Sequence, residues 1–285
     1  MSIGTVARQR FPVTMRTLGT ARSGWAQLGE QARFFGKTLA AIVDVVVYYR
    51  AELLRQVAAM SLGTGSLAVI GGSVAVMAFL TMSTGGTIAS EGFNQFSNIG
   101  VEAMTGFGTA FANTRLVTPF TACIAFAATI GAGTTAQLGA MRINEEIDAL
   151  EVMGIRPIAY LAATRVAAGV IVAVPLYCVA LIFGYSAGEL ITTTYYGQSS
   201  GVFVHYFHTF FIPADVLRSF VVTVAEVTTI MLVHTYYGFT ASGGPAGVGE
   251  AVGRATRASL TVAGLVIMFV TLALYGQTGH FNLAG

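Results

Sequence analysis

Hydrophobic residues fill long uninterrupted stretches of this 285-residue chain, and the charged positions fall between them. Charge-free intervals run over 56–90, 116–141, 166–188 and 258–285, and a fifth, 219–249, is interrupted only by Glu226. A helix that crosses a bilayer needs about 20 mostly apolar residues. Trimmed to their most apolar parts, the intervals predict five spans near 57–82, 116–139, 164–188, 215–238 and 258–277. Ahead of them, Leu28, Ala32, Phe35, Leu39, Ile42 and Val46 recur at spacings of three and four, while Glu30, Arg33 and Lys37 point elsewhere. That is an amphipathic helix suited to lying in the inner membrane interface, with Trp25 and Phe34 close by, the plainer alternative being a soluble helix packed against a partner. Segment 92–114, rich in Gly, Asn, Thr and Phe, is too polar to span and reads as a short external helix or a re-entrant piece. The expected fold is an all-α integral membrane protein. Residues 1–55 hold the interfacial helix and 56–285 form the five-span domain.

Composition supports this picture. Only 10% of the residues are charged, against about 25% in soluble domains, and 54% are hydrophobic. A net charge of +2 without a basic run gives no reason to expect nucleic acid. Cys123 and Cys178 both lie in apolar runs and read as small core residues rather than a disulfide. Eight of the fifteen Arg and Lys residues precede position 56; Arg142, Arg156 and Arg165 follow the second span, and Arg254 and Arg257 precede the fifth. Basic residues collect on the cytoplasmic side, which puts the N-terminus inside and the C-terminus outside a cell membrane.

The same rule places the densest charge cluster in a cytoplasmic loop. Glu145, Glu146, Asp148 and Glu151 fall within seven positions of a chain that has thirteen acids. Asn144 is the predicted N-cap of a helix near 143–154, and the first acids then lie where the helix dipole favours negative charge. Gly154 supplies a left-handed stop, and Pro157 forbids resumption. Ile143, Ile147 and Leu150 line one face, with the acids on the others. Two to three turns are too few to be stable alone in water. An apolar stripe flanked by acids suits docking on a cytoplasmic partner, with the charges steering encounter and register; the plainer alternative is a solvated loop helix resting on its own bundle.

At this point a family becomes visible. "GAMRINEEIDALEVMGIRPIAYL" (139–161) resembles the cytoplasmic loop of the MlaE/YrbE family, the permease subunits of MCE-type ABC lipid transporters. "GGPAGVGEAVGRATRASL" (243–260) resembles the loop entering that family's last span, and "NTRLVTPF" (113–120) is a weaker match at the start of the second. The resemblance implies five spans and an N-terminal amphipathic helix. It also implies pairing with a second permease and docking of each loop, as a coupling helix, onto a cytoplasmic ABC ATPase dimer. MCE proteins on the outer side would pass on a lipid such as a fatty acid, phospholipid or sterol. Ile143, Glu145, Glu146, Ile147, Asp148, Leu150 and Glu151 become the candidate ATPase-coupling residues. No cofactor is expected on this chain; ATP and magnesium belong to the partner ATPase. The Arg-rich, Ala/Gly-rich composition, with a single lysine, suggests an actinobacterial source.

Two positions depart from the family pattern. It commonly has Glu after the arginine at the second span, facing the cavity between the subunits, and this chain has Leu116 after Arg115. It usually has an acid where "TAQLG" carries Gln137. Both departures suggest a related but non-identical second permease that keeps the missing acid. Arg115, Leu116 and Glu226 are therefore the candidates for the substrate cavity or an intersubunit contact. Glu226 lies near the middle of a span, where a charge is costly and by default functional. It equally suits a hydrogen bond made for assembly alone.

The remaining signals carry less. "GEQARFFGKTL" imitates a P-loop, but the required first glycine is Gln31 and the segment is helical by periodicity, so no ATP hydrolysis is expected of this chain. His234 is expected near the cytoplasmic interface. His205 and His208 have a metal-like spacing but sit in an aromatic run better suited to an external interface. Gly184 and Gly188 form a GxxxG pair for close helix packing, and Pro175 is a potential kink. No nucleophile–base pair or metal cluster emerges. Two rival functions stay open: an ion-coupled secondary transporter using Glu226, and a non-transporting subunit that anchors its partners.

Overall fold

A computed structural model describes residues 28–62 and 72–276, and among them every regular element is helical. Helix α1 covers 28–40, α2 is Ile42–Tyr48 and α3 is Arg50–Leu62. Five long helices follow: α4 Gly72–Ser97, α5 Glu102–Ile143, α7 Ile158–Tyr195, α9 Pro213–Phe239 and α10 Gly244–Tyr275. Two short helices interrupt the series, α6 Glu146–Val152 and α8 Ser200–Phe210. The five long helices are long and apolar enough to cross a membrane.

The first long helix begins later in the chain than the interval near 57–82 suggested. Residues 57–62 end α3 instead, and 63–71 lie outside the described residues. Hydrophobicity marked where apolar residues were dense, whereas α4 keeps its helix through the polar Ser83–Ser90 stretch because glycines there let it pack tightly. At Gly85 an added Cβ would lie 2.5 Å from the Gly184 carbonyl oxygen of α7, so α4 and α7 touch backbone to backbone. The GxxxG pair thus serves packing, with Gly188 facing Thr109 of α5. The segment 92–114 is neither separate nor re-entrant. It is the end of α4 and the start of α5.

Helix α5 crosses the bundle and contacts α4, α9 and α10. Turns of π geometry at Asn113–Val117 and Ala127–Gly131 interrupt it, and α7 has such turns at both ends, Ile158–Ala163 and Ile191–Tyr195. Each π turn inserts an extra residue and re-aims the side chains beyond it. The central core joins Phe126 and Ile130 of α5 with Tyr177 of α7 and Ile230 and Met231 of α9. Helix α8 lies against the start of α5, with Phe107 meeting Phe210 edge-on at 4.7 Å. His205 and His208 are exposed on α8, and no metal-holding cluster of three or more His, Cys, Asp or Glu occurs among the described residues.

The N-terminal helices meet the bundle partly through residues beside the predicted stripe. Phe34, Thr38 and Val45 are buried, whereas Leu28, Leu39 and Val46 of the predicted stripe are exposed. Apolar residues occur on more than one side here, so periodicity alone identified an apolar face without saying what covers it. Phe34 packs against Tyr236 and Phe239 of α9, both at 5.5 Å. Trp25 lies outside the described residues.

Candidate functional site

Two groups of candidate residues occupy opposite ends of the bundle. The first is α6, between the end of α5 and the start of α7. Asn144 does not cap it. With φ of −89° and ψ of 6° it is the C-cap of the preceding helix, and Glu145 takes the N-cap position with φ 60° and no side-chain cap. Left-handed geometry at a non-glycine residue is uncommon, and here it produces the sharp reversal that sets α6 against α5. Glu146 and Asp148 stand in the first turn, where orphan amides and the helix dipole favour them.

The exit follows the expected chemistry. Gly154 has φ +77°; its amide donates to the Glu151 carbonyl and that of Ile155 to the Leu150 carbonyl, both at 3.0 Å. These two bonds form a Schellman ending, which needs the left-handed residue that glycine supplies without strain. Arg156 then pairs with Asp44 of α2 at 3.0 Å.

The apolar stripe of α6 faces inward, which corrects the view of it as a docking surface. Ile147 is 1% exposed and packs with Leu138 of α5 and Leu161 of α7, with Leu150 and Phe239 beside them. Ile143 is half-buried. A seven-residue helix has too few hydrogen bonds to persist alone, and this burial holds it in place. What remains outside is acidic: Glu145, Glu146, Asp148 and Glu151 are exposed, as are Val152 (89%) and Met153 (65%). Among the described residues, Asp148 alone of these acids has an ion pair, with Arg142. Val152 and Met153 were not singled out from the sequence, since they fall outside the stripe of Ile143, Ile147 and Leu150.

The second group lies at the other end. Arg115, in the first π turn of α5, binds Asp215 of α9 through Nε at 2.8 Å and through Nη2. Arg218 donates to the other carboxylate oxygen at 2.8 Å. Tyr275 of α10 donates its hydroxyl to the Asp215 carbonyl at 3.1 Å, and its ring centre lies 5.0 Å from the Arg115 guanidinium. Asp215, 4% exposed, is thus a buried carboxylate shared by two arginines, tying α5, α9 and α10 together. Leu116, next to this cluster, is exposed and lines an apolar groove of about 500 Å³ with Ile267, Met268, Leu272 and Tyr275. Asp215 was not singled out from sequence. The signal for it was available: Arg115 needs an acid at its own end of the bundle, and Asp215 opens α9 there.

Glu226 does not join this groove. It is fully buried within its own chain, near Cys123, and neither carboxylate oxygen has a hydrogen-bond partner. At 0% exposure its side chain presents no surface of this chain to a second subunit. His234 is likewise buried inside the bundle. Its Nδ1 lies 2.7 Å from Thr135 Oγ1 and its Nε2 3.1 Å from Ser259 Oγ, and its ring fills the space a Cβ on Gly131 would need.

Five apolar helices around a firmly seated acidic helix have the build of a multi-pass membrane permease. Known proteins agree. The family described as Permease MlaE matches residues 63–273, most of the chain. The chain belongs to the MlaE permease family. It is 28% identical over 166 residues to the Arabidopsis thaliana protein Trigalactosyldiacylglycerol 1, chloroplastic, a match covering 58% of this chain and 47% of the plant protein. It is 26% identical over 196 residues to a probable ABC transporter permease protein of Rickettsia prowazekii, covering 69% and 74% of the two chains. A probable ABC transporter permease protein of Synechocystis is 26% identical over 189 residues, covering 66% and 72%. The chain therefore spans about half of the plant protein and nearly three quarters of the bacterial ones. A plant, a rickettsia and a cyanobacterium give no support to an actinobacterial source.

Proposed function

We propose that this permease is the membrane subunit of an ATP-driven lipid transporter, and that α6 is the coupling helix on which a cytoplasmic ATPase docks. One observation carries the reading. The helix spends its apolar stripe on its own bundle and turns Glu145, Glu146, Glu151, Val152 and Met153 outward. A seated helix with an acidic and apolar outer face is suited to receive force, because displacement passes directly into α5 and α7 rather than being absorbed by a flexible loop. The names of the bacterial relatives support an ABC partner, and the plant relative is named for a lipid. ATP and magnesium would be bound by the ATPase, and the N-terminal helices would lie on the same, cytoplasmic, side as α6.

Substrate would be held in a cavity between two permeases, with Leu116 and the apolar face of α10 against acyl chains and Arg115 at the polar edge. A related second permease and MCE proteins on the outer side complete the assembly in this reading. Charge reversal tests it. Glu146→Lys with Glu151→Lys should leave the permease folded, since exposed substitutions shift stability by no more than about 0.5 kcal/mol, yet remove most of the ATPase from affinity-purified complex. Unchanged ATPase stoichiometry in mild detergent defeats the docking role.

A second reading rests on Glu226 alone, whose unpartnered carboxyl suits a proton site in an ion-coupled transporter. It predicts substrate movement in vesicles without ATP, abolished by Glu226→Gln.

A further inference from the structure

Helix α6 is held at three places, and each hold goes to a different part of the chain. Its start is held by the Arg142–Asp148 pair to the end of α5. Its middle is held by Ile147 in the core. Its exit segment is held by Arg156 to Asp44, and Asp44 belongs to α2, far away in sequence. The first two holds join α6 mainly to α5 and α7, its neighbours along the chain, with Phe239 of α9 beside them. The third brings in the N-terminal helices.

That third hold is part of a larger contact. Tyr49, just after α2, meets Tyr160 edge-on at 5.3 Å, and Tyr160 lies in the π turn that opens α7. Val45 is fully buried against Ala163 and Ala167 of α7. Asp44, Val45 and Tyr49 thus grip the exit of α6 and the first turns of α7 together. On α1, Phe34 packs against Phe239 of α9, and Phe239 also packs on the cluster around Ile147. The N-terminal helices therefore form a strap that touches both structures on which α6 rests.

We infer that Asp44 is a positioning residue for the coupling helix: through Arg156 it fixes the exit of α6 to the strap, so that displacement of α6 reaches α2 as well as α7. This rests on the coupling role proposed above. Arg156 is 66% exposed and Asp44 28%, so the pair adds little to overall stability. Its use is mechanical. Gly154 and Ile155, which precede Arg156, make no helix of their own. Without the pair, the exit segment can turn about Gly154, and displacement of α6 reaches α2 only through the packing of Val45 and Tyr49 on α7. The outer acids of α6 are untouched by this, so binding of the ATPase and transmission from it become separable.

The test uses the permease purified in lipid nanodiscs with its co-purifying ATPase. Amide hydrogen exchange is compared with and without ADP and vanadate, which trap the nucleotide-bound ATPase. In the wild type, trapping should change exchange in both 145–153 and 42–49. Asp44→Arg should retain the ATPase and the change in 145–153, while the change in 42–49 shrinks about three- to fivefold, the factor matching a pair of up to about 1 kcal/mol. Arg156→Gln should do the same by a milder route and serves if the reversal disturbs folding. Combining Asp44→Arg with Arg156→Asp should restore the response, which a general loosening of the strap would not. An unchanged response at 42–49 in both single variants, or a failure of the double reversal to restore it, overturns the inference while the docking role stands. Wild-type permease that retains no ATPase overturns the coupling role itself, and the inference with it.

Discussion

The two ends of the bundle handle charge in opposite ways. At one end Asp215 is buried and met by Arg115, Arg218 and the Tyr275 hydroxyl group at its backbone, so the chain satisfies its own acid. At the other, Glu145, Glu146 and Glu151 stand exposed on a seven-residue helix with no ion pair to a basic residue of the described chain. Buried charge without a partner is costly, so the far end had to be solved internally. Exposed charge carries no such penalty, and clustering it on a seated helix makes sense as a surface addressed to something else. The contrast separates charges that hold the fold from charges that await a partner.

Substitutions at each end should differ accordingly. Asp215→Ala leaves two arginines without their shared carboxylate and should cost about 3–5 kcal/mol, read as a large fall in melting temperature in detergent. If it melts like the wild type, the internal cluster is not a structural tie and the contrast fails. Ile147→Ala removes the anchor of α6 and should cost about 2–5 kcal/mol locally. Exchange protection over 146–152 should collapse while the long helices stay protected; loss of protection everywhere would make α6 part of the core rather than an attached handle.

A smaller effect belongs to Glu52, between the strap and the bundle. Burial raises its carboxyl, but hydrogen bonds from Arg55 and Gln56 outweigh that and hold it below its ordinary value of 4.5. A carboxyl depressed in the folded state contributes stability above its unfolded value and loses it as pH falls. Wild-type melting should therefore drop more than that of Glu52→Gln between about pH 5 and about pH 3.5. Equal drops would show that Glu52 contributes no pH-linked stability at this junction.

Much of this molecule was written locally. Runs of about 20 apolar residues determined that it is a helical membrane protein, since a segment of that kind without water must satisfy its backbone within itself. Gly154 determined where α6 ends, because its left-handed geometry is a property of that residue itself. The tertiary structure decided everything that depends on who stands opposite whom. Periodicity showed that Ile147 and Leu150 share a face but not that the face lies on Leu138 and Leu161. It showed an apolar stripe on the N-terminal helix but not that Phe34 and Val45, off that stripe, would meet the bundle. Asp44 beside Arg156 could not be read in advance, and the sequence offered Asp215 to Arg115 only as an acid at the same end of the bundle, for each pair spans about a hundred residues of chain. A helix's own composition fixes its length and its faces; which face is buried depends on neighbours that arrive only when the chain has folded.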